Sequence, residues 1–293
     1  MSGTGTTPRP STDVAGLHVR FPDGRIVGLT AIGDPAAKRL VMLCHPTAGA
    51  SGFDPDPVLT STWGLHLVSF DRPGYGASDP YPTETEPSAN RWADAAAAYL
   101  DQAESSASST ASTDFGSIGV VGWREGGLFA AALAARHPEF VDRLALIGCP
   151  ALPALAETGA RARTRKADAN WFDPQRLTST SSRWDATSYE RRIERMMADA
   201  QLQGTAGVDA DLQCFRAEPP SLSTTAAETL VLVGRQDTYA TPRDARWFAD
   251  EIPNSRIVVA EHGGRDLIAD AWESVLEHVA PEHGQLGTQE GDR

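Results

Sequence analysis

The chain has 293 residues, enough for one or two domains built on a large core. Its 41% hydrophobic and 22% charged content is that of an ordinary water-soluble globular protein. A formal net charge of −13, from 26 basic and 39 acidic residues, weighs against nucleic acid or an anionic membrane surface as the main partner. Cys44, Cys149 and Cys214 are odd in number and far apart, which fits neither a disulfide framework nor a zinc site. Cys44 and Cys149 lie in the apolar runs VMLCHP and LALIGCP and are expected to be buried thiols. The N-terminal MSGTGTTPRPSTDVAG lacks the apolar stretch of a signal peptide, and no run reaches the ~18 apolar residues of a membrane span, so a cytoplasmic location is expected.

In chain order, residues 1–14 and 281–293 are small, polar tails around a folded region. HVRFPDG and IVGLTAIG read as an opening antiparallel hairpin. Short buried strands follow at 39–46 and 65–71, then a helix with an Ala-rich face at 88–102. ESSASSTAST (104–113) reads as a surface loop. SIGVVGW (117–123) is a strand running directly into the helix EGGLFAAALAARHP (125–138), and RLALIGCP (143–150) is the next strand. Strands at 229–237 and 255–262 flank a helix at 244–252, and 271–279 is the last helix. Near-continuous apolar strands, each followed by a helix, imply a mostly parallel sheet covered on both faces.

Residues 151–225 interrupt this rhythm with charged, helix-prone segments and no convincing strand, so they read as a helical cap inserted into a core of residues 15–150 and 226–280. Within 161–195, nine Lys and Arg face five Asp and Glu, which is either a solvated helix face or a lid that attracts an anion.

Four segments together resemble the α/β-hydrolase superfamily. They are VMLCHPTAGASGF, SFDRPGYGASDP, VVGWREGGLFAAALAARHPE, and VLVGRQDTYATP with SRIVVAEHGGRDLI. In order and spacing they are similar to that family's oxyanion loop, its DRPGxGxSD turn, its nucleophile elbow, and its acid- and histidine-bearing loops. The resemblance covers roughly residues 17–280 and implies an α/β-hydrolase fold with a cap at 151–225.

Two of the family's triad positions depart from the pattern. The elbow, usually G-x-S-x-G, is Gly122-Trp123-Arg124-Glu125-Gly126. A guanidinium is no nucleophile and stays protonated. Where the resemblance implies a histidine, Gly263-Gly264-Arg265 holds Arg265, which cannot serve as a base at neutral pH. The acid position is kept as Asp237. Pro46 after His45 removes one backbone donor from the oxyanion loop, leaving the amides of Thr47 and Glu125 as candidates. His45 reads as a loop-orienting residue, and His262 reaches the pocket only if its loop is reshaped.

The resemblance implies that Arg265 pairs with Asp237, as the family's histidine does. Arg124 is expected at the exposed tip of the elbow, with Glu125 beside it as a neutralising neighbour. Two guanidiniums about 4 Å apart would repel by roughly 4 kcal/mol at an effective dielectric near 20, and one carboxylate offsets only part of this. The remaining positive field favours an anionic or enolisable small molecule. Three uses stay open: non-hydrolytic lyase, isomerase, dehydration or cyclisation chemistry on a stabilised anion; ligand binding without turnover; and hydrolysis by directly activated water with Asp237 or His262 as base. Phe53, Trp123, Trp171, Phe172, Trp184 and Tyr189 either line an apolar pocket or pack cap on core. No dinucleotide fingerprint, phosphate-loop lysine or metal-ligand cluster is present in the sequence, so no cofactor is expected.

Overall fold

The computed structural model describes residues 16–35, 37–106, 116–162, 186–261, 264 and 266–281. Eight strands form one sheet in the order β1-β2-β4-β3-β5-β6-β7-β8. β1 (Gly16–Arg20) and β2 (Ile26–Gly33) make the expected antiparallel hairpin, and β2 also runs antiparallel to β4 (His66–Phe70). From β4 onward through β3 (Leu40–Cys44), β5 (Ile118–Trp123), β6 (Val141–Ile147), β7 (Glu228–Gly234) and β8 (Ser255–Ala260), every pairing is parallel.

The central strands are buried on both faces, which is why they read as unbroken apolar runs. Alternate residues serve opposite layers. Met42, Cys44, Val120, Leu144 and Leu146 face one apolar cluster with α2 (Ala89–Ser106), α3 (Gly126–Arg136) and α7 (Pro242–Glu251). Val41, Leu43, Val121, Ala145 and Ile147 face the other, with α8 (Leu267–Asp270), α9 (Trp272–Val279) and the cap helix α5 (Ala186–Ala200). Cys44, Cys149 and Cys214 are buried free thiols.

Two helix starts have local causes. Asp56 caps α1 (Pro57–Trp63), a helix that the sequence reading did not anticipate, by accepting from the amides of Val58 at 2.9 Å and Leu59 at 3.1 Å; Gly64 ends it at φ 65°. Pro242 opens α7, and Asp244 there accepts from the Thr241 amide at 2.8 Å. The Ala-rich helix extends beyond its expected end at 102, because α2 continues to Ser106 and takes in the start of the expected surface loop. Residues 107–115 of that loop lie outside the described residues.

Between β6 and β7 the described residues are helical: α4 (Leu152–Ala162), α5 and α6 (Ala206–Cys214), followed by a single 3-10 turn at Leu222–Thr224. Trp171, Phe172 and Trp184 lie outside the described residues, as do the two tails beyond 16 and 281. No helix among the described residues is long and apolar enough to cross a membrane.

Candidate functional site

The site is built where β5 meets α3. Arg124 sits in the turn between them at φ 52°, a left-handed conformation that a non-glycine residue adopts at a cost of about 1–2 kcal/mol. Its amide donates to the Ile147 carbonyl at 3.0 Å, and its carbonyl accepts from Gly127 N at 3.0 Å. Close approach of α3 to the sheet makes the turn possible. A Cβ on Gly126 would lie 2.1 Å from the Cys44 carbonyl oxygen, and one on Gly122 would lie 2.6 Å from Gly127 Cα. The sequence thus forces the side chain of residue 124 out at the carboxyl edge of the sheet, where parallel α/β proteins place their ligands.

At that edge four side chains meet. The Arg124 guanidinium lies over the Tyr239 ring, 4.3 Å from its centroid. One of its nitrogens is 3.9 Å from Asp237 Oδ2, at the limit of an ion pair. Asp237 is held by its other oxygen, which accepts from the amides of Tyr239 at 2.8 Å and Ala240 at 3.2 Å. The Tyr239 hydroxyl donates to Glu125 Oε1, and Thr47 N donates to Glu125 Oε2 at 3.1 Å. Burial first, then the adjacent Glu125 carboxylate, push the Tyr239 phenol well above its ordinary range.

The placement of charge differs from the sequence reading. Glu125 does not neutralise Arg124: among the described residues the ion-pair partner of Arg124 is Asp237. Glu125 is spent on Tyr239 and Thr47, because it stands at the N-cap of α3 and its side chain reaches the loops after β3 and β7. Arg265 and His262 lie outside the described residues, so the expected Arg265–Asp237 pair lies outside them too. The Thr47 amide, a candidate oxyanion donor in the sequence, already donates to Glu125.

A buried network fixes this loop from the cap side. Asp211 on α6 accepts from Thr47 Oγ1 at 2.9 Å, from the Tyr75 hydroxyl at 2.9 Å, and from Arg72 through both oxygens at 3.0 and 2.5 Å. The Arg72 and Asp211 side chains are 1% and 2% exposed. Burial works against the Arg72 charge, but the Asp211 carboxylate outweighs it and raises the group's affinity for its proton. Arg72 also donates to the His45 carbonyl at 2.6 Å. The His45 ring sits between the Pro46 carbonyl at Nδ1 (2.9 Å) and the Arg72 amide at Nε2 (3.3 Å), so Nδ1 carries the proton and Nε2 accepts. Burial and the nearby Arg72 hold it well below the usual histidine range. These contacts tie His45 into the loop after β3 and to the DRPG turn.

Asp71, the first residue of the DRPG turn, accepts from Ser51 N at 2.6 Å and Ala77 N at 2.9 Å. It binds that turn to the oxyanion-side loop. Sequence reasoning gave Arg72, Tyr75, Asp211 and Tyr239 no role. The available signals were slight: Tyr239 lies two residues after the acid position, and Arg72 belongs to the quoted turn.

Phe53 and Trp123, candidates for a pocket wall, are 2% and 1% exposed and stack at 5.0 Å. Tyr189 of the cap meets Phe53 edge-on at 5.9 Å. These three pack cap on core beneath the turn. No side chain at the tip is a nucleophile, and the nearby Cys149 thiol is buried, donates to the Gly122 carbonyl at 3.3 Å, and is pushed up by that burial. An open cleft of about 320 Å³ lies elsewhere, between α9 and the faces of β6 to β8 near Arg143 and Glu228. It is remote from the Arg124 turn and gathers none of these groups.

Known proteins share this architecture. A pimeloyl-[acyl-carrier protein] methyl ester esterase from Chromobacterium violaceum is 27% identical over 242 residues, spanning 70% of this chain and 84% of its own. The solved enol-lactonase from Burkholderia xenovorans superposes with a TM-score of 0.67 at 18% identity, covering 91% of this chain and all of its own length (100%). A hydrolase from Pseudomonas aeruginosa gives 0.65 at 17% identity, covering 91% and 98%. The sequence pattern of the α/β hydrolase fold family matches residues 40–271, which span strands β3 to β8 and the Arg124 turn, and the chain belongs to that family.

Proposed function

We propose that this protein is a member of the family that forms no acyl-enzyme, and that its Arg124 turn holds an anionic or enolisable small molecule for non-hydrolytic chemistry. One observation carries the reading: the Arg124 guanidinium donates no hydrogen bond to any described residue, although its side chain is 11% exposed and sits at the tip of the turn. Stacking on Tyr239 and the long approach to Asp237 hold it in place and leave its donor fork for an acceptor on a ligand. An enolate or carboxylate satisfies that fork, and fixed charge at a preorganised site is what stabilises such an anion. Arg265, placed opposite Asp237 by the resemblance, adds a second guanidinium in this reading.

Binding without turnover is the second reading. It is favoured by the way Thr47 and Tyr239 both donate to Glu125, as in a settled structural pairing, although Asp237 Oδ2 beside them keeps no hydrogen-bond partner among the described residues. Hydrolysis by directly activated water, which the esterase and lactonase similarities keep in view, fits less well. Asp237 has one oxygen tied to two amides and the other facing Arg124.

The test is a melting screen of native protein and Arg124→Ala against carboxylates, phosphates, phenolates and polycyclic acids. A ligand at a hundred times its dissociation constant adds about 2.7 kcal/mol. One class of anions should stabilise the native protein and lose its effect in Arg124→Ala; equal stabilisation of both refutes the reading. A fluorophosphonate should leave the native protein unlabelled, and a single stoichiometrically tagged residue would overturn the absence of an acyl-enzyme.

A further inference from the structure

We infer that Thr47 N–H and Tyr239 O–H form a cradle for one carboxylate, and that the native chain fills this cradle with Glu125, closing the oxyanion position of the fold. This deepens the reading above, which places ligand anions at the same turn. The two donors come from opposite sides of the site. Thr47 is on the loop after β3, held by Asp211 through its hydroxyl, and Tyr239 is on the loop after β7, held by the Asp237 carboxylate through its amide. Each donates to a different oxygen of Glu125, so both oxygens accept. Glu125 is 7% exposed and Thr47 is 3% exposed, so the carboxylate and the amide donor are largely removed from water, while Tyr239, at 37% exposed, closes the cradle from the solvent side.

The consequence is chemical. Acyl transfer on this fold develops a negative oxygen beside the backbone N–H of the loop after β3. Here that N–H is already bonded and a full negative charge lies against it. A tetrahedral oxyanion there would compete for the donor and be repelled by the carboxylate. Glu125 thus sets specificity by exclusion: a ligand anion is received by the Arg124 fork and turned away from Thr47. The arrangement also explains why Glu125 does not pair with Arg124, whose ion-pair partner is Asp237. Its two oxygens are engaged by neutral donors, and the guanidinium keeps its charge for a ligand.

The experiment empties the cradle. Glu125→Ala removes the carboxylate and leaves both donors without an acceptor, and formate is the probe, with potassium chloride at equal ionic strength as control. The variant should melt below the native protein. Formate should then raise its melting temperature along a saturating curve by roughly 3 °C at tens of times its dissociation constant, in addition to any response that the Arg124 fork gives in the native protein. Glu125→Ser empties the same cradle if the alanine variant fails to fold. The rescue should persist in Arg124→Ala/Glu125→Ala and vanish in Glu125→Ala/Tyr239→Phe. Equal response of native and variant proteins, or no response in either emptied variant, overturns the assignment. Loss of the rescue on adding Arg124→Ala also overturns it, because formate would then be sitting on the guanidinium. Failure here is distinct from failure of the anion screen, which reads the Arg124 fork in native protein.

Discussion

Replacing Asp54 by asparagine should stabilise this protein at neutral pH, even though it removes a charge that lies beside a cap arginine. Asp54 is 3% exposed. Its Oδ1 accepts from Thr60 Oγ1 at 2.8 Å and from Asp56 N at 3.0 Å, while Oδ2 has no hydrogen-bond partner. Arg192 of α5 lies close by, but it donates to the carbonyls of Asp54 at 2.9 Å and Pro55 at 3.1 Å, latching the cap onto this loop without touching the carboxylate. Burial therefore dominates and pushes the Asp54 carboxyl from 3.8 up to about 6; Thr60, Asp56 N–H and Arg192 pull the other way, and the Asp56 charge adds a small upward push. A carboxyl raised by about two units costs up to about 3 kcal/mol once it ionises in the folded state.

The sign follows from the protons. Between pH 3.8 and about 6 the folded chain keeps a proton that the unfolded chain has released. Stability from the protonated form is full below the lower value, falls as pH rises, and is gone above the upper one. Asparagine keeps an acceptor for Thr60 and the Asp56 amide and carries no charge. Its advantage over the native residue should be greatest at pH 8 and smaller by about 0.8 kcal/mol at pH 5.5. Urea unfolding followed by tryptophan fluorescence at both pH values measures the difference. A variant no more stable than native at pH 8, or an advantage that does not shrink on acidification, refutes the reasoning.

Asp211→Ala should cost about 3–5 kcal/mol, because it strands the buried Arg72 charge and frees Thr47 and Tyr75 together; a loss below about 1 kcal/mol in the same urea assay would show that the network is incidental. Gly126→Ala should destabilise by about 1–3 kcal/mol, since its Cβ would meet the Cys44 and His45 carbonyl oxygens at 2.1 and 2.6 Å; an unchanged melting curve would mean that α3 can back away from β3 without cost.

How much of this site was legible depended on how local each feature is. The turn at Arg124 could be read because Gly122, Gly126 and Gly127 are close in sequence, and each is needed where α3 presses on the sheet. The identity of the tip residue needs no geometry. Partner choice was another matter. Glu125 looked like the neighbour of Arg124 because the two are adjacent in sequence, yet its hydrogen bonds reach Thr47, 78 residues away, and Tyr239, 114 residues away. Tyr239 supplies a donor and a π face in one ring, roles that its position after Asp237 did not announce. For Phe53 and Trp123 the sequence leaves pocket wall and cap-on-core packing open, and the fold stacks them on one another.

By itself the sequence determined the sheet, its parallel centre, the helical segment between β6 and β7, and the presence of a guanidinium where the turn delivers its side chain. Apolar runs, turn glycines and residue chemistry are properties of neighbouring positions, and they survive without coordinates. The tertiary structure decided that Asp237 faces Arg124, that Glu125 fills the place beside Thr47, and that Asp211 anchors the loop from 164 residues away. Charged and polar side chains settle on whichever donors and acceptors burial leaves within reach, and that distance is set by the packing of loops that no local period encodes.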